Sequence, residues 1–258
     1  MTGANGPYNL ADVALETLAD YVELNFCTVL NQNTPEEKLP SKISPIQKKC
    51  EELKRFVRSS SLPPSLANEV SRKLFKMVDS KIWEAGYLRR ESWHIETVRR
   101  LVVALIHPTL SKLELEPKRF HNFFDYGFIF IISSIYPELQ NLQRLRVLQL
   151  EYPYFQSDKT HICNGFPQYL EELTVRGFFS DDDLKLAVET CKGLKYVNIS
   201  ISENITDESV EHILKIDKLL SLDVVGTCIS DVGIVNLLEG LAKKEEGRRR
   251  EAKTSWFQ

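Results

Sequence analysis

A short apolar pattern, L-x-x-L-x-L with other aliphatic residues tolerated, recurs through the second half of the chain. It begins at Leu145, Leu170, Leu194 and Leu219, at almost equal intervals, and an earlier copy begins at Leu110. A fixed short period is typical of proteins that stack copies of one small strand–helix unit, because a single copy cannot bury its own apolar face. This pattern constrains the fold more than any other feature of the sequence.

Helix-start signals recur in phase with this pattern. The pairs Ser180-Asp181, Thr206-Asp207 and Ser230-Asp231 are separated by nearly the same intervals as the leucines. Ser, Thr and Asp are preferred where a helix begins, so each copy predicts a strand followed by a helix. We therefore expect an α/β fold with parallel strands on the concave face of a short solenoid. The run Asp181 to Asp183 is interpreted as a favourable first helical turn, and no metal site is predicted.

These copies resemble the cysteine-containing leucine-rich repeats common in ubiquitin-ligase receptors, through the S/T-D pairs and through Cys191-Lys192-Gly193-Leu194. The resemblance covers about residues 101 to 242. In such a stack the strand positions between the buried ones are free to contact a partner. The candidate partner-binding residues are Glu172, Thr174, Arg176, Tyr196, Asn198 and Asp223. Because acidic residues outnumber basic ones on these strand positions, we expect a basic or hydrogen-bond-rich peptide as the preferred target.

The first hundred residues are patterned for helices. Apolar residues from Leu10 to Val22 fall on one stripe, which predicts a first amphipathic helix. Pro35, Pro40 and Pro45 predict turns, and a second helix is expected around residues 50–57. A third helix should begin at Leu62-Pro63-Pro64, because proline is tolerated in a first helical turn, and its apolar residues are at positions 66, 70, 74 and 78.

Two motifs in this region carry a family resemblance. Asn9-Leu10-x-x-x-Ala14-x-x-x-Leu18 looks like the box by which substrate receptors bind elongin C, with Asn9 and Ala14 in place of the usual small residue and cysteine. Leu62-Pro63 with Leu66, Val70 and Leu74 resembles the cullin-selecting box that follows it. Ahead of leucine-rich repeats, this order is similar to the Zyg-11/Zer-1 family, the substrate-recognition subunits of cullin-2 RING ubiquitin ligases.

The resemblance implies a division of the chain and a set of contacts. Residues 1–95 would form a helical adaptor-binding segment and residues 96–242 the leucine-rich-repeat domain. Residues 243–258 have no period and dense mixed charge, so composition predicts a charged, solvated tail. Leu10, Ala14 and Leu18 would insert into elongin C, while Leu62, Pro63, Leu66 and Val70 would help to select cullin-2. Family members continue into an armadillo-like domain that recognises N-terminal glycine. This sequence has no counterpart of that domain, so glycine recognition is not expected of it.

Two alternatives stay open. Residues Leu62 to Leu66, with Trp83 and Trp93 beyond them, can also be interpreted as a degenerate F-box, which implies a cullin-1 ligase. A leucine-rich-repeat scaffold unrelated to ubiquitin, whose N-terminal helices only cap the stack, would show the same helical pattern. All three interpretations describe binding proteins.

Neither the composition nor the spacing of reactive residues indicates a catalytic or metal site. Lys and Arg number 33 and Asp and Glu 36, so the formal net charge of -3 favours neither nucleic acid nor an anionic membrane as a partner. The five histidines and five cysteines show no metal-ligand spacing, and no nucleophile motif is present. Cys191 and Cys228 are expected to be buried. We predict a non-enzymatic, cytoplasmic or nuclear protein without a cofactor or metal.

Overall fold

The computed structural model describes residues 16–18, 20–22, 24–25, 39–84, 92–115, 135, 137–151 and 165–255. The chain divides into two compact lobes. The N-terminal lobe is Met1–Leu113 with Pro117–Arg144, and the C-terminal lobe is Glu114–Glu116 with Leu145–Gln258. Residues 96–113, which the sequence analysis grouped with the repeats, therefore belong to the N-terminal lobe.

Helices build the N-terminal lobe. After the helical residues 16–18 and 20–22 come α1 (Leu39–Ser59), α2 (Pro64–Glu84) and α3 (Ser92–Ala104). Leu53 of α1, Leu74 of α2 and Leu101 of α3 are almost completely buried and form the centre of the lobe. The third predicted helix is confirmed as α2, and it begins at Pro64, where the missing N–H group has no helical partner to lose.

Helix α1 begins earlier than the sequence predicts. Pro40 and Pro45, which we expected to mark turns, both lie within it. Pro40 is in the first turn, where proline is tolerated, whereas Pro45 removes one backbone hydrogen bond. The buried residues Ile46, Cys50, Leu53 and Val57 follow at helical spacing, and their burial outweighs that loss.

Short strands, each from one copy of the repeated pattern, form a five-stranded sheet in the order β1-β2-β3-β4-β5. The strands are β1 (Lys112–Leu115), β2 (Val147–Glu151), β3 (Glu172–Arg176), β4 (Tyr196–Asn198) and β5 (Ser221–Asp223). Neighbours from β2 to β5 pair in parallel, with Leu148 level with Leu173, and Val197 level with Leu222. The predicted α/β class with parallel strands is confirmed.

A helix follows each of the last three strands. These helices are α4 (Asp181–Thr190), α5 (Glu208–Leu214) and α6 (Asp231–Ser255). Each begins at or next to the predicted S/T-D pair, and Ser180 forms a capping box with Asp183 at the start of α4. We call each strand with its following helix a module: β3–α4, β4–α5 and β5–α6.

Successive modules join through the same backbone contact. The carbonyl oxygen of Glu171 accepts hydrogen bonds from the N–H groups of Lys195 and Tyr196, at 2.8 and 3.1 Å. The carbonyl oxygen of Lys195 accepts in the same way from Leu220 and Ser221, at 2.7 and 3.1 Å. The stacking of modules therefore has a fixed hydrogen-bond pattern at the start of each strand.

The charged segment from residue 243, expected as a solvated tail, continues α6 as far as Ser255. Lys244 anchors it, because its Nζ donates to the carbonyl oxygens of Leu214 and Ile216 at 2.6 and 3.1 Å, at the end of α5. Glu245 and Arg249 pair one turn apart on the same helix. These contacts explain why a segment without apolar periodicity is helical.

Candidate functional site

An apolar cleft of about 580 Å³ opens on the N-terminal lobe. Its floor includes Leu53, Ala67, Leu74 and Leu105, which are at most 2% exposed. Phe56, which is 61% exposed, lies at its rim. A concave site of this size with an almost wholly apolar lining fits the apolar side chains of a partner helix.

The buried His107 ring beside the cleft has hydrogen-bond partners within the lobe. The His107 ring is 1% exposed, and its Nδ1 lies 2.8 Å from the Thr109 hydroxyl. Its Nε2 lies 2.9 Å from the carbonyl oxygen of Ser60. Both ring nitrogens of His107 have hydrogen-bond partners. An apolar partner group in the cleft would therefore not leave the buried ring without hydrogen bonds.

The cleft gathers four of the seven residues that the resemblance assigns to adaptor binding. Leu18, Leu62, Leu66 and Val70 all line it, although they are separated in the sequence. Each of the four is half-buried, so part of each side chain remains accessible. Pro63 is exposed but is not among the lining residues. Leu10 and Ala14 lie outside the described residues.

Sequence reasoning missed the contribution of α1 to this cleft. Leu53, Phe56 and Val57 all line it, at helical spacing. That spacing was visible in the sequence, but it signalled only a buried helix face. Phe56 is the residue that departs from such a face, and only the packing of α1 against its neighbours reveals its exposure.

The six candidate partner-binding residues share one face of the sheet in the C-terminal lobe. Register aligns them in rows, with Glu172 level with Tyr196, and Thr174 level with Asn198 and Asp223. We call this surface the strand face. Glu172 is exposed and Tyr196 is 44% exposed, whereas the other four are half-buried. Tyr196 offers a rigid aromatic side chain of the kind enriched at interaction hot spots.

Part of the strand face is already engaged. Arg176 donates from Nη1 to Glu151 at 3.0 Å and from Nε to the Ser200 hydroxyl at 3.1 Å. Asn198 accepts from the Ser200 hydroxyl at 2.7 Å. Arg176 therefore links residues of neighbouring strands, whereas Asn198 orients the Ser200 hydroxyl, and a partner would meet a preorganised polar network.

A ladder of paired charges lies one residue before strands β2, β3 and β4. Glu171 receives Lys195 Nζ at 2.5 Å and lies 3.8 Å from Arg146 Nε. The hydrogen bond from Lys195 holds the pKa of Glu171 below its ordinary value, and the same bond raises the pKa of Lys195. Glu171 therefore pairs with a positive charge on each side, Arg146 before β2 and Lys195 before β4.

The carboxylates of the S/T-D pairs have a role that sequence reasoning did not find. Asp181 accepts from the backbone N–H of Thr206 at 2.9 Å, from the Thr206 hydroxyl at 2.7 Å and from the Ser209 hydroxyl. Asp207 accepts from the N–H and hydroxyl of Ser230 at 2.7 and 2.6 Å, which holds its pKa below the ordinary value. Each Asp thus binds the helix start of the next module.

No cluster of three or more potential metal ligands occurs within the described part of the chain. Among the same residues, no helix is both long and apolar enough to cross a membrane. Cys191 is buried as expected, but Cys228 is exposed, which corrects our expectation. It lies in the turn between β5 and α6, and β5 is an edge strand of the described sheet.

Comparison with known proteins identifies no relative: no family model, no curated protein and no solved structure gives a significant match to this chain.

Proposed function

We propose that this protein is a non-catalytic substrate-recognition subunit of a cullin-2 RING ubiquitin ligase. The N-terminal cleft would dock the elongin adaptor and the cullin, and the C-terminal lobe would be a leucine-rich-repeat solenoid that meets the target. Such a subunit acts by proximity, because tethering raises the effective concentration of the target near the ubiquitin-loaded enzyme.

The cleft is the observation that carries this proposal. Leu18 comes from the elongin-like box, whereas Leu62, Leu66 and Val70 come from the cullin-like box, and all four border one apolar opening. Two motifs recognised separately in the sequence would not need to share a surface if both were ordinary core helices. Phe56 at the rim adds an exposed aromatic contact, which is common in binding hot spots.

The strand face supports the second half of the proposal. It combines the carboxylates of Glu172 and Asp223 with the guanidinium of Arg176, whose charge is already paired with Glu151 of β2. This excess of negative charge favours a basic, hydrogen-bonding target segment. The exposed ring of Tyr196 would supply apolar contact in the same surface.

Co-purification tests the proposal. The full chain should recover elongin B/C with cullin-2, and it should not recover the cullin-1 adaptor. Leu66→Asp should abolish recovery of cullin-2, because it places a carboxylate among apolar groups. Arg72→Asp is the matched control, since it puts the same charge at an exposed position of α2.

Thermal unfolding of both variants shows whether the lobe is still folded. Recovery of the cullin-1 adaptor alone would favour the F-box alternative and contradict the proposal. Recovery of neither adaptor would contradict both ligase interpretations and leave the scaffold.

A further inference from the structure

The last module, β5–α6, has an unusually apolar surface. Apart from Tyr169 and Tyr196, the exposed large apolar side chains described in the C-terminal lobe all belong to it. They are Leu220 (66% exposed), Val225 (74%), Val232 (68%), Val235 (53%) and Leu238 (61%). Such a concentration in one module marks an interaction surface more often than chance exposure does.

Two of these residues replace charged or polar ones. Leu220 occupies the position at which preceding repeats place the paired charges of Arg146, Glu171 and Lys195. Val225 follows β5 at the position that Glu151, Arg176 and Ser200 occupy after β2, β3 and β4, where Arg176 pairs with Glu151 and donates to the Ser200 hydroxyl. The ladders of charged and polar side chains that link the earlier strands therefore end in apolar side chains.

The same replacement occurs on the last helix. Val232 stands one residue after Asp231, where the corresponding residues of α4 and α5 are Asp182 and Glu208. Val235 stands where those helices have Lys185 and Glu211, which are exposed. A helix that remained in water would have no reason to exchange these charges for valines.

Two hydrogen-bond acceptors of this module, the Leu220 carbonyl oxygen and the Asp231 carboxylate, have equivalents in the earlier modules that accept hydrogen bonds from the module that follows. The carbonyl oxygens of Glu171 and Lys195 each accept two N–H groups from the next strand, but within the described residues that of Leu220 accepts none. Asp181 and Asp207 each hold the helix start of the next module. Asp231 is the third member of that series, and no hydrogen bond to its carboxylate occurs within the described part of the chain.

Helix packing indicates which type of residue a helix packed against α6 would need. Leu214 of α5 lies against Gly240 of α6, so closely that a Cβ at Gly240 would overlap its methyl groups. Leu238 occupies in α6 the position that Leu214 occupies in α5. An element that packed on α6 in the same manner would need a small residue opposite Leu238.

From these observations we propose that the β5–α6 surface binds a strand–helix element of a partner protein. The partner strand pairs in parallel with β5 through the Leu220 carbonyl, and a Ser or Thr at its helix start donates to Asp231. A small residue further along the partner helix packs against Leu238, as Gly240 of α6, the helix that begins directly after Ser230, packs against Leu214. The argument is one of continuity, because the partner repeats the interface that already joins β4–α5 to β5–α6.

A second copy of this chain fits the surface less well. Two β5 edges related by two-fold symmetry would run antiparallel, whereas β2 to β5 pair in parallel. In that arrangement the start of the opposing helix lies at the wrong end of the strand to donate to Asp231. The surface therefore favours a different protein that carries the element described above.

The test uses a synthetic peptide of residues 219–246 as the probe, because this segment already occupies the equivalent surface of the preceding module. A fluorescent form is titrated with the full chain, and anisotropy reports binding. We expect saturable binding that is weakened about tenfold or more by Leu238→Asp or Asp231→Ala in the full chain. Asn236→Asp, at an exposed position of the same helix, should leave the affinity within about twofold and is the matched control.

A peptide with Ser230→Val should bind about five- to tenfold more weakly, because it loses a hydroxyl that donates to a carboxylate. Absence of saturable binding, or equal binding to all three full-chain variants, would overturn the proposal. Sedimentation velocity tests the other possible occupant of the surface, a second copy of this chain. Concentration-dependent self-association that Leu238→Asp abolishes, without peptide binding, would assign the surface to a second copy and also overturn the proposal.

Discussion

Single carboxylates connect the modules of the C-terminal lobe. Asp181 and Asp207 come from equivalent positions, and each binds the hydroxyl and backbone N–H of the following helix start. Hydrogen bonds to a charged acceptor are stronger than those between neutral groups. The S/T-D pair therefore specifies both where a helix begins and how it attaches to the helix before it.

Loss of the Asp181 carboxylate should destabilise the protein. Asp181→Ala leaves the Thr206 N–H and the fully buried Ser209 hydroxyl without their acceptor, at a cost of about 2 to 3 kcal/mol in the free energy of unfolding. Asp182→Ala, in the same helical turn but exposed, should cost less than about 1 kcal/mol. Urea denaturation of both variants measures the difference, and equal losses would show that Asp181 acts only on its own helix.

Two glycines of α6 should respond to alanine with opposite signs. A Cβ at Gly233 would overlap both the Asp207 carboxylate and the Ile229 side chain. Gly233→Ala should therefore destabilise the protein by about 1 to 3 kcal/mol. The Cβ position of Gly247 lies in open space, so Gly247→Ala should stabilise by about 0.5 to 1 kcal/mol through helix propensity. Thermal denaturation compares the two, and a tolerated Gly233→Ala would refute the close approach.

Glu138 should make the N-terminal lobe sensitive to acid. Burial alone would raise its pKa, but the hydrogen bond from Lys54 at 2.8 Å and the charge of Arg58 hold the pKa below its ordinary value of 4.5. Because the folded pKa is lowered, the carboxylate stabilises the fold above pH 4.5, and that contribution is lost as the pH falls through the lowered value.

Glu138→Gln should therefore reduce the free energy of unfolding by about 1 kcal/mol at pH 7, with allowance for the exposure of Arg58. The difference from the unsubstituted protein should shrink below pH 4.5 and vanish once Glu138 is protonated. Urea denaturation across the acid range up to neutral pH measures it. A difference that stayed constant with pH would contradict the assigned ion pairs.

At the scale of elements, regular periods were predictable and local exceptions were not. The recurring leucines located β2 to β5, and Pro64 located the start of α2. Prolines misled the prediction for α1, since a buried face outweighed one missing hydrogen bond. The turns after β3, β4 and β5 have a positive φ at Gly177, Ile201 and Gly226, a conformation that glycine adopts readily, whereas Ile201 adopts it against its own preference.

For the candidate sites too, features set by a regular period were predictable from the sequence and contacts between distant residues were not. Alternation along the strands placed the six strand-face residues correctly on one surface, because side chains of a strand alternate by geometry. The family resemblance singled out Leu18, Leu62, Leu66 and Val70 but did not predict that they line one cleft, since no spacing rule joins such distant positions. The cross-module role of Asp181 depends on the approach of two turns from successive modules, which the sequence alone does not determine.

For the whole molecule, the proposed function assigns a separate task to each lobe. The N-terminal lobe has an apolar opening with few polar groups, which suits a constitutive adaptor, whereas the strand face of the C-terminal lobe is polar and charged, which suits a target that binds and leaves. The terminal surface of β5–α6 would add a third contact, independent of the other two. A receptor needs at least the first two to bring a target to a ligase.

Isothermal titration of purified elongin B/C into the full chain tests the central claim most directly. The account predicts saturable binding of one elongin complex per chain, weakened about tenfold or more by Leu18→Asp, because it places a charge among the apolar groups assigned to elongin C. Leu66→Asp, at a position assigned to cullin selection in the same cleft, should weaken elongin binding less. The exposed control Arg72→Asp should bind like the unsubstituted protein. Absence of heat from the unsubstituted chain, or equal affinity for all four proteins, would contradict the assignment of the cleft as the adaptor site.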